Sequence, residues 1–247
     1  MHAAKPENSA ILSERRLRRL TRRQWLALAP AAALGALAFP SVREPVLKAG
    51  LALSDRVSEA LFRPTHAAPT FADSELTPFE KFPYNSFDTN EPDIDFDEWQ
   101  LIVEGEVERP GRYPLGALLA LPKQVQNVQH VCIEGWSVIG QFGGARLADF
   151  LDHVGADPGA RFVSVLCHDD YYASYDMASC RHPQSLLCYE MYGRPLDRGH
   201  GAPLRIHMPT KLGYKSAKYL FSLRVSSTPP RQRGFWEDQG YSWHGGL

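Results

Sequence analysis

The chain has 247 residues and a formal net charge of −1, which excludes a global electrostatic attraction to nucleic acid or to an anionic membrane. Hydrophobic residues make up 44% and charged residues 22%, so the chain can bury a real core. The four cysteines include no Cys-x-x-Cys pair, which argues against a structural zinc site. We expect Cys180 and Cys188 to be buried free thiols, and a disulfide bond between them is an open alternative.

The first 40 residues have the features of an export signal. Six arginines precede an apolar run from Trp25 to Phe39, which is shorter than a membrane-spanning helix needs and contains Pro30. Thr21-Arg22-Arg23-Gln24-Trp25-Leu26 resembles the twin-arginine export motif, and Ala36-Leu37-Ala38 offers a cleavage site. We therefore predict a twin-arginine signal or an N-terminal anchor at residues 1–40, and a periplasmic location. Because this export route carries folded proteins, the signal also suggests a cofactor inserted in the cytoplasm.

Residues 41–72 are predicted to be a linker that contains an amphipathic helix. Within residues 46–62, four apolar side chains recur near one helical face: Leu47, Leu51, Val57 and Leu61. Pro64 is expected to end this helix. Packing of the apolar face on the domain is favoured over a position on a membrane surface. Residues 73–247 are predicted to form the functional domain.

The elements of this domain are predicted from hydrophobic periodicity. In chain order they are an extended segment at 64–98, a strand at Trp99–Glu104, a turn-rich stretch at 105–114, a helix at Leu115–Leu121, a loosely alternating stretch at 125–132, a helix at Arg146–His153, a strand at Phe162–Cys167, mostly helix or turn at 181–192, and strands at Leu204–Met208 and Tyr219–Val225. Short strands interrupted by short helices, without a regular βαβ repeat, favour an α+β fold. Neither a dinucleotide-binding glycine motif nor a P-loop is present.

Cys132 is the first candidate functional residue. It follows an alternating stretch and opens a glycine-containing turn in the segment His130–Ser137. A thiolate in that position can be a nucleophile, a metal ligand or a buried thiol. Two alternatives follow and stay open at this point. One is a cysteine hydrolase with His130, His168 or His200 as the base, and the other is a cofactor-free periplasmic binding module.

A second candidate is a basic cluster late in the chain. It places four cations within 14 positions, beside several glycines: Arg205, Lys211, Lys215 and Lys218. Glycine permits close backbone approach, and arginine and lysine supply donors and charge to a phosphate. The cluster therefore predicts a phosphate site, with a solvated basic face as the alternative.

Several short motifs in a fixed order carry a family resemblance. They are Tyr-Asn-Ser-Phe at 84–87, Cys-Ile-Glu-Gly-Trp-Ser at 132–137, Gly-Ala-Pro-Leu-Arg at 201–205, Gly-Tyr-Lys-Ser-Ala-Lys at 213–218 and Gly-Phe-Trp-Glu-Asp-Gln-Gly-Tyr at 234–241. From about Thr77 to Val225 the chain resembles the sulfite oxidase-type molybdopterin oxidoreductases. It is most similar to the bacterial branch that includes the catalytic subunit of the periplasmic protein-methionine-sulfoxide reductase.

The resemblance implies a cofactor with one molybdenum and one pterin. Cys132 would be the catalytic residue and would bind the molybdenum. A soft thiolate suits a metal already held by sulfur. The implied cofactor-binding residues are Asn85, Asp88, Thr89, Cys167, His200, Arg205, Ser216, Ala217 and Lys218. Four of them depart from the branch, which has Thr at Cys167, Asn at His200 and a Tyr-Glu pair at Asp88-Thr89. The chain also lacks a clear counterpart of the substrate-binding arginine cluster of sulfite oxidases.

The implied reaction is oxygen-atom transfer on a small or protein-bound S-oxide or N-oxide. The chain has no Cys-x-x-Cys-His motif for a c-type haem, so electrons must be exchanged with a separate partner. A membrane haem b protein or a soluble cytochrome would serve. The twin-arginine export machinery is the other expected partner, and no nucleic acid is expected.

Overall fold

The computed structural model describes residues 39–83 and 91–247. Its elements are α1 (Pro40–Leu61), two 3-10 turns (Asp73–Glu75 and Phe79–Lys81), β1 (Gln100–Gly105), β2 (Gly111–Pro114), α2 (Leu115–Leu119), β3 (Lys123–Val131), β4 (Ser137–Arg146), α3 (Leu147–His153), β5 (Phe162–Cys167), β6 (Tyr172–Asp176), α4 (Met177–Cys180), β7 (Leu186–Met191), β8 (Arg194–Pro195), β9 (Arg205–His207), a 3-10 turn (Gly213–Lys215), β10 (Leu220–Ser226) and α5 (Phe235–Asp238). The chain divides into two compact units, residues 1–50 and 51–247. The twin-arginine motif, Asn85, Asp88 and Thr89 lie outside the described residues.

Two five-stranded sheets form the second unit. One has the order β2-β1-β10-β5-β6, and the other has the order β3-β4-β7-β8 with β9 also paired to β7. The β1–β10 pair is parallel and the other strand pairs are antiparallel. Apolar side chains of both sheets meet in one buried cluster, among them Leu101, Val163, Leu187, Ile206 and Leu223. These mixed sheets with few short helices confirm the predicted α+β class.

Strands whose side chains alternate between core and surface match their predictions. Leu101 and Val103 are buried on β1, and Val163 and Val165 are buried on β5, while the residues between them are more exposed. This period of two is what a strand covered on one face requires. The indole of Trp99 donates from Nε1 to the Leu220 carbonyl at 2.9 Å, which fixes the start of β1 against β10.

The prediction of helix or turn at 181–192 is wrong, because the segment contains strand β7. Leu186–Met191 reads LLCYEM and is buried almost throughout, because Leu187 and Tyr189 belong to one hydrophobic cluster and Leu186 and Cys188 to another. A strand covered on both faces loses the alternation that identifies strands in a sequence. The turn-rich stretch at 105–114 likewise ends in a strand, β2, which pairs with β1.

The first helix forms where it was predicted. Within the second unit, its residues Val57 and Leu61 are 48% and 74% exposed, so these two side chains do not pack on the domain as expected. A polar residue anchors this part of the helix instead. Asp55 accepts hydrogen bonds from the Ser242 hydroxyl at 2.6 Å and from the backbone amides of Trp243 and His244 at 3.2 and 3.1 Å. No helix among the described residues is both long and apolar enough to cross a bilayer.

Candidate active site

One cleft gathers most of the candidate residues. Its cavity volume is about 170 Å³. Six of the predicted site residues line it: Cys132, His200, Arg205, Ser216, Ala217 and Lys218. Cys167 lies at the end of β5, where it is buried within the hydrophobic core and burial raises the pKa of its thiol well above the usual value. The fold thus brings together segments that are more than 80 positions apart in the chain.

The hairpin between β3 and β4 positions Cys132. The backbone amide of Cys132 donates to the Trp136 carbonyl at 2.9 Å, and the amide of Gly135 donates to the Cys132 carbonyl at 3.1 Å. This tight turn requires a positive φ of 93° at Gly135, which glycine adopts at little cost. The half-buried thiol therefore stands at the tip of a rigid hairpin and lines the cleft.

Glu134 is the neighbour of this thiol on the same turn. The Cys132 Sγ donates to Glu134 Oε2 at 3.8 Å, and the Trp136 indole donates to the same oxygen at 3.1 Å. The pKa of Cys132 is raised, chiefly because burial disfavours the thiolate and secondarily because Glu134 is negative. A metal cation would reverse this preference, since coordination deprotonates a thiol outright.

Arg205 is a buried cation, and only some of the donors of its guanidinium group form hydrogen bonds. It lies on β9 with 5% of its surface exposed. Nη1 donates to the His200 carbonyl at 2.9 Å and Nη2 to the Ser216 carbonyl at 3.3 Å. Within the described residues, Arg205 Nε and the hydroxyl of Ser216 have no hydrogen-bond partner. Since buried donors are nearly always satisfied, two unsatisfied donors on residues that line one cleft indicate a ligand with several acceptor oxygens.

Lys218 adds a second cation to the same wall. Its Nζ donates to the Gly199 carbonyl at 2.9 Å. Burial, and next the charge of Arg205, lower the pKa of Lys218 to about 8. Gly201 allows this approach, because a Cβ at its φ of 101° would lie 2.8 Å from the Lys218 Cβ. His200 is held by Asp197 Oδ1 at 2.7 Å from its Nδ1, while burial lowers the pKa of the imidazole.

The prediction that four cations form one phosphate site is wrong in part, because the side chains of two lysines turn away from the cleft. Lys211 Nζ lies 3.7 Å from Asp176 Oδ2 and contacts the ring of His244 at 3.1 Å. Lys215 forms a buried ion pair with Glu237. Only Arg205 and Lys218 of the four line the cleft. The anion-binding charge is therefore half of what the spacing suggested.

The pKa of Lys218 predicts a pH dependence for anion binding. Below pH 8 the ammonium attracts a phosphate, and above pH 8 it loses its proton. We expect the apoprotein's affinity for inorganic phosphate to fall about tenfold between pH 7 and 9.5, the loss of one charge-assisted hydrogen bond. Calorimetric titration across this range measures it. Lys218→Met should remove this fall in affinity. Equal phosphate affinity of the unsubstituted protein at both pH values would contradict the role of Lys218 in anion binding.

Several aromatic residues of the cleft were not singled out from the sequence. Besides Glu134 the wall includes Phe82, Trp136, Tyr171, Tyr214 and Trp236. Trp136 and Trp236 belong to motifs that the sequence contains, but nothing in those motifs shows that both side chains reach the same cleft. Tyr171 carries no local signal, because only the β5–β6 connection brings it there.

Solved structures with a similar fold support the architecture. The sulfane dehydrogenase SoxCD from Paracoccus pantotrophus aligns with a TM-score of 0.53 and 16% identity, over 70% of this chain and 52% of that chain. At this identity the likeness concerns the fold. The fold is thus that of the sulfite oxidase-type molybdopterin proteins, as the resemblance implied.

Sequence relatives define the family. Residues 88–236 match the oxidoreductase molybdopterin-binding domain. A protein of Azospira oryzae with the provisional name protein-methionine-sulfoxide reductase subunit YedZ1 is 42% identical over 188 residues, which cover 75% of this chain and 70% of that protein. The protein-methionine-sulfoxide reductase catalytic subunit MsrP of Ralstonia nicotianae is 31% identical over 149 residues, 53% of this chain and 45% of the relative. The chain belongs to the molybdopterin-binding oxidoreductase family.

Membership confirms the predicted cofactor, molybdenum with molybdopterin, and the residues of the cleft fit it. A thiol such as that of Cys132 is a soft donor that would suit the metal. The unsatisfied donors of Arg205 and Ser216, beside the cation of Lys218, suit the phosphate of the pterin. This chain spans 70% of the length of Azospira YedZ1. It spans about half the length of the MsrP relatives that it matches.

Proposed function

We propose that the protein reduces S-oxides by oxygen-atom transfer, with Cys132 as the ligand of the molybdenum. The observation that carries the proposal is the cleft itself. It combines one thiol on a rigid hairpin with the buried cation Arg205, the partly buried cation Lys218, and unsatisfied donors on Arg205 and Ser216. The bound cofactor would supply the redox chemistry, and the protein would supply binding, orientation and exclusion of water.

Within this proposal each cleft residue has a defined task. Arg205 and Lys218 bind the phosphate, assisted by the hydroxyl of Ser216 and the backbone of Ala217. His200, fixed by Asp197, borders the pterin. Asn85, Asp88 and Thr89 complete the pterin contacts from outside the described residues, whereas Cys167, at the end of β5, is buried in the core and does not line the cleft. Trp136, Tyr214 and Trp236 limit the access of water to the metal.

The proposed substrate is a methionine-sulfoxide-type S-oxide. The names of the relatives associate them with protein-bound methionine sulfoxide. An aromatic wall around Cys132 supports the same choice, because sulfur makes favourable contacts with aromatic rings. An anionic substrate such as sulfite would need a cation of its own, whereas Arg205 and Lys218 are assigned to the phosphate.

We also propose a periplasmic enzyme that is exported by the twin-arginine route and reduced by a separate partner. The Arg22-Arg23 motif supports the route, and the relatives named as catalytic subunits support a partner subunit. A membrane haem b protein or a soluble cytochrome would fit, since the chain itself has no c-type haem motif.

The cysteine hydrolase alternative is disfavoured by the electrostatics of the site. A nucleophilic cysteine needs a lowered pKa, whereas the pKa of Cys132 is raised by burial. A base needs a pKa near the working pH, whereas burial lowers the pKa of His130 to about 3. Family membership also disfavours a cofactor-free binding module.

The direct test is metal analysis and a substrate screen of protein expressed with its own signal in cells that make the cofactor. We expect about one molybdenum and one pterin per chain. With a reduced dye as the electron donor, methionine sulfoxide should be reduced, and oxidation of sulfite should be negligible. Absence of molybdenum would contradict the site, and a loaded protein that reduces no S-oxide would contradict the substrate class.

A further inference from the structure

Lys215 interrupts the run of cleft-lining residues in the segment 213–218. The residues on either side of it line the cleft, while the side chain of Lys215 is turned into the protein and is 1% exposed. Its Nζ donates to the Ser174 carbonyl at 2.8 Å and forms an ion pair with Glu237 Oε1. The lysine in the middle of the proposed phosphate-binding segment is thus bound by residues on the side away from the cleft.

The backbone around Lys215 is fixed by hydroxyl groups from β6 and the connection before it. Tyr175 donates to the Lys215 carbonyl at 2.8 Å, and Tyr171 donates to the Tyr214 carbonyl at 2.7 Å. The next amide, that of Ser216, closes the turn by donating to the Gly213 carbonyl at 2.9 Å. The orientation of Ser216 and of the residues after it therefore depends on where this turn is anchored.

Glu237 provides the charged part of that anchor. It lies on α5, and its side chain is 1% exposed. Gly234 makes room for it, because a Cβ there would lie 2.0 Å from Glu237 Oε2. The adjacent Trp236 lines the cleft. One short helix thus contributes both a wall of the cleft and the counter-ion beneath its binding segment.

Stability alone does not explain a buried ion pair at this position. Two charges taken out of water are rarely better for folding than two apolar side chains of similar volume. Removing one partner, by contrast, leaves a charge buried and unpaired. A fixed geometry is what such a pair provides that an apolar pair does not.

We propose that Glu237 and Lys215 are positioning residues that hold the backbone of Ser216–Lys218 in the conformation that binds the cofactor's phosphate. The inference rests on the proposed cofactor site, although not on the substrate. Neither Lys215 nor Glu237 lines the cleft. The pair acts through the turn Gly213–Lys215, to which Lys215 belongs.

The test compares the rate of cofactor release in variants matched for stability. The cofactor content of the unsubstituted protein is measured first, because an empty protein would contradict the proposed site rather than this inference. Glu237→Gln is then compared with Leu118→Ala, a substitution in the buried core on α2. Urea is adjusted so that both variants have the same free energy of unfolding, and pterin fluorescence follows release.

We expect Glu237→Gln to release pterin about tenfold faster than Leu118→Ala at matched stability. A second variant, Lys215→Met with Glu237→Leu, removes both charges and covers the case in which Glu237→Gln does not fold. It should fold with a melting temperature like that of the unsubstituted protein and still release pterin faster. Equal release rates in the matched variants, or normal retention in the double variant, would overturn the inference.

Discussion

Replacing Cys132 by serine should lower S-oxide reductase activity by more than about 100-fold while the fold is kept. Partners that only orient a metal ligand cost 10- to 100-fold when they are lost, so the loss of the ligand itself should cost more. A hydroxyl is a hard, protonated group that replaces a soft thiolate poorly. The two backbone hydrogen bonds of Cys132 in the hairpin do not involve the thiol, so the turn should survive.

The measurements are kcat/KM with methionine sulfoxide, molybdenum content and the melting temperature. Cys180→Ala is the matched control, because Cys180 is a fully buried free thiol on α4, away from the cleft wall. It should cost about 1 kcal/mol of stability and leave the activity of the loaded enzyme unchanged. A Cys132→Ser variant with undiminished activity would show that the thiol is not the ligand.

Replacing Arg205 by methionine should abolish cofactor binding without destabilising the apoprotein. Burial lowers the pKa of Arg205, which reflects the cost of keeping its charge out of water without a carboxylate partner. Methionine removes that cost, and the His200 and Ser216 carbonyls that lose a donor offset part of the gain. The free energy of unfolding should therefore stay within about 1 kcal/mol of its original value.

Pterin and molybdenum analysis together with urea unfolding measure the two effects. Arg205→Lys should not restore binding, because an ammonium lacks the planar fork that matches phosphate oxygens. Arg224→Met is the control, since Arg224 is exposed on β10 and its ion pair among the described residues is with the exposed Glu104, at 3.5 Å. Normal cofactor content in Arg205→Met would place the phosphate elsewhere.

Local periodicity predicted strands in which apolar and polar residues alternate, including the fully buried β9, and it failed where that alternation is absent. β5 was predicted over its full length, Phe162–Cys167, and β10 within one residue at each end. β7 was missed because all but one of its six residues are buried. β4 was missed because its sequence SVIGQFGGAR is rich in glycine, which is uncommon in strands. Gly144 is needed there, since a Cβ would lie 2.2 Å from the Leu187 carbonyl of β7.

The candidate site likewise has features that local sequence predicts and features that only the tertiary structure decides. The order of the motifs was enough to predict the family and its cofactor, because each motif is a short continuous segment that the sequence shows directly, and it also singled out Cys132 as the proposed ligand. Which aromatic side chains form the cleft wall was not predictable, since Tyr171 and Trp236 reach it through connections that are distant in sequence.

The sequence by itself determined the family and the cofactor, and it predicted the residues proposed to bind the cofactor, because these are properties of the order of residues in short segments. Only the tertiary structure decided which cations face the cleft. Arg205 and Lys218 line it, whereas Lys211 and Lys215 pair with Asp176 and Glu237, acids that lie at least 22 positions away in the chain. A buried lysine turns toward the nearest carboxylate, and only folding determines which carboxylate is near.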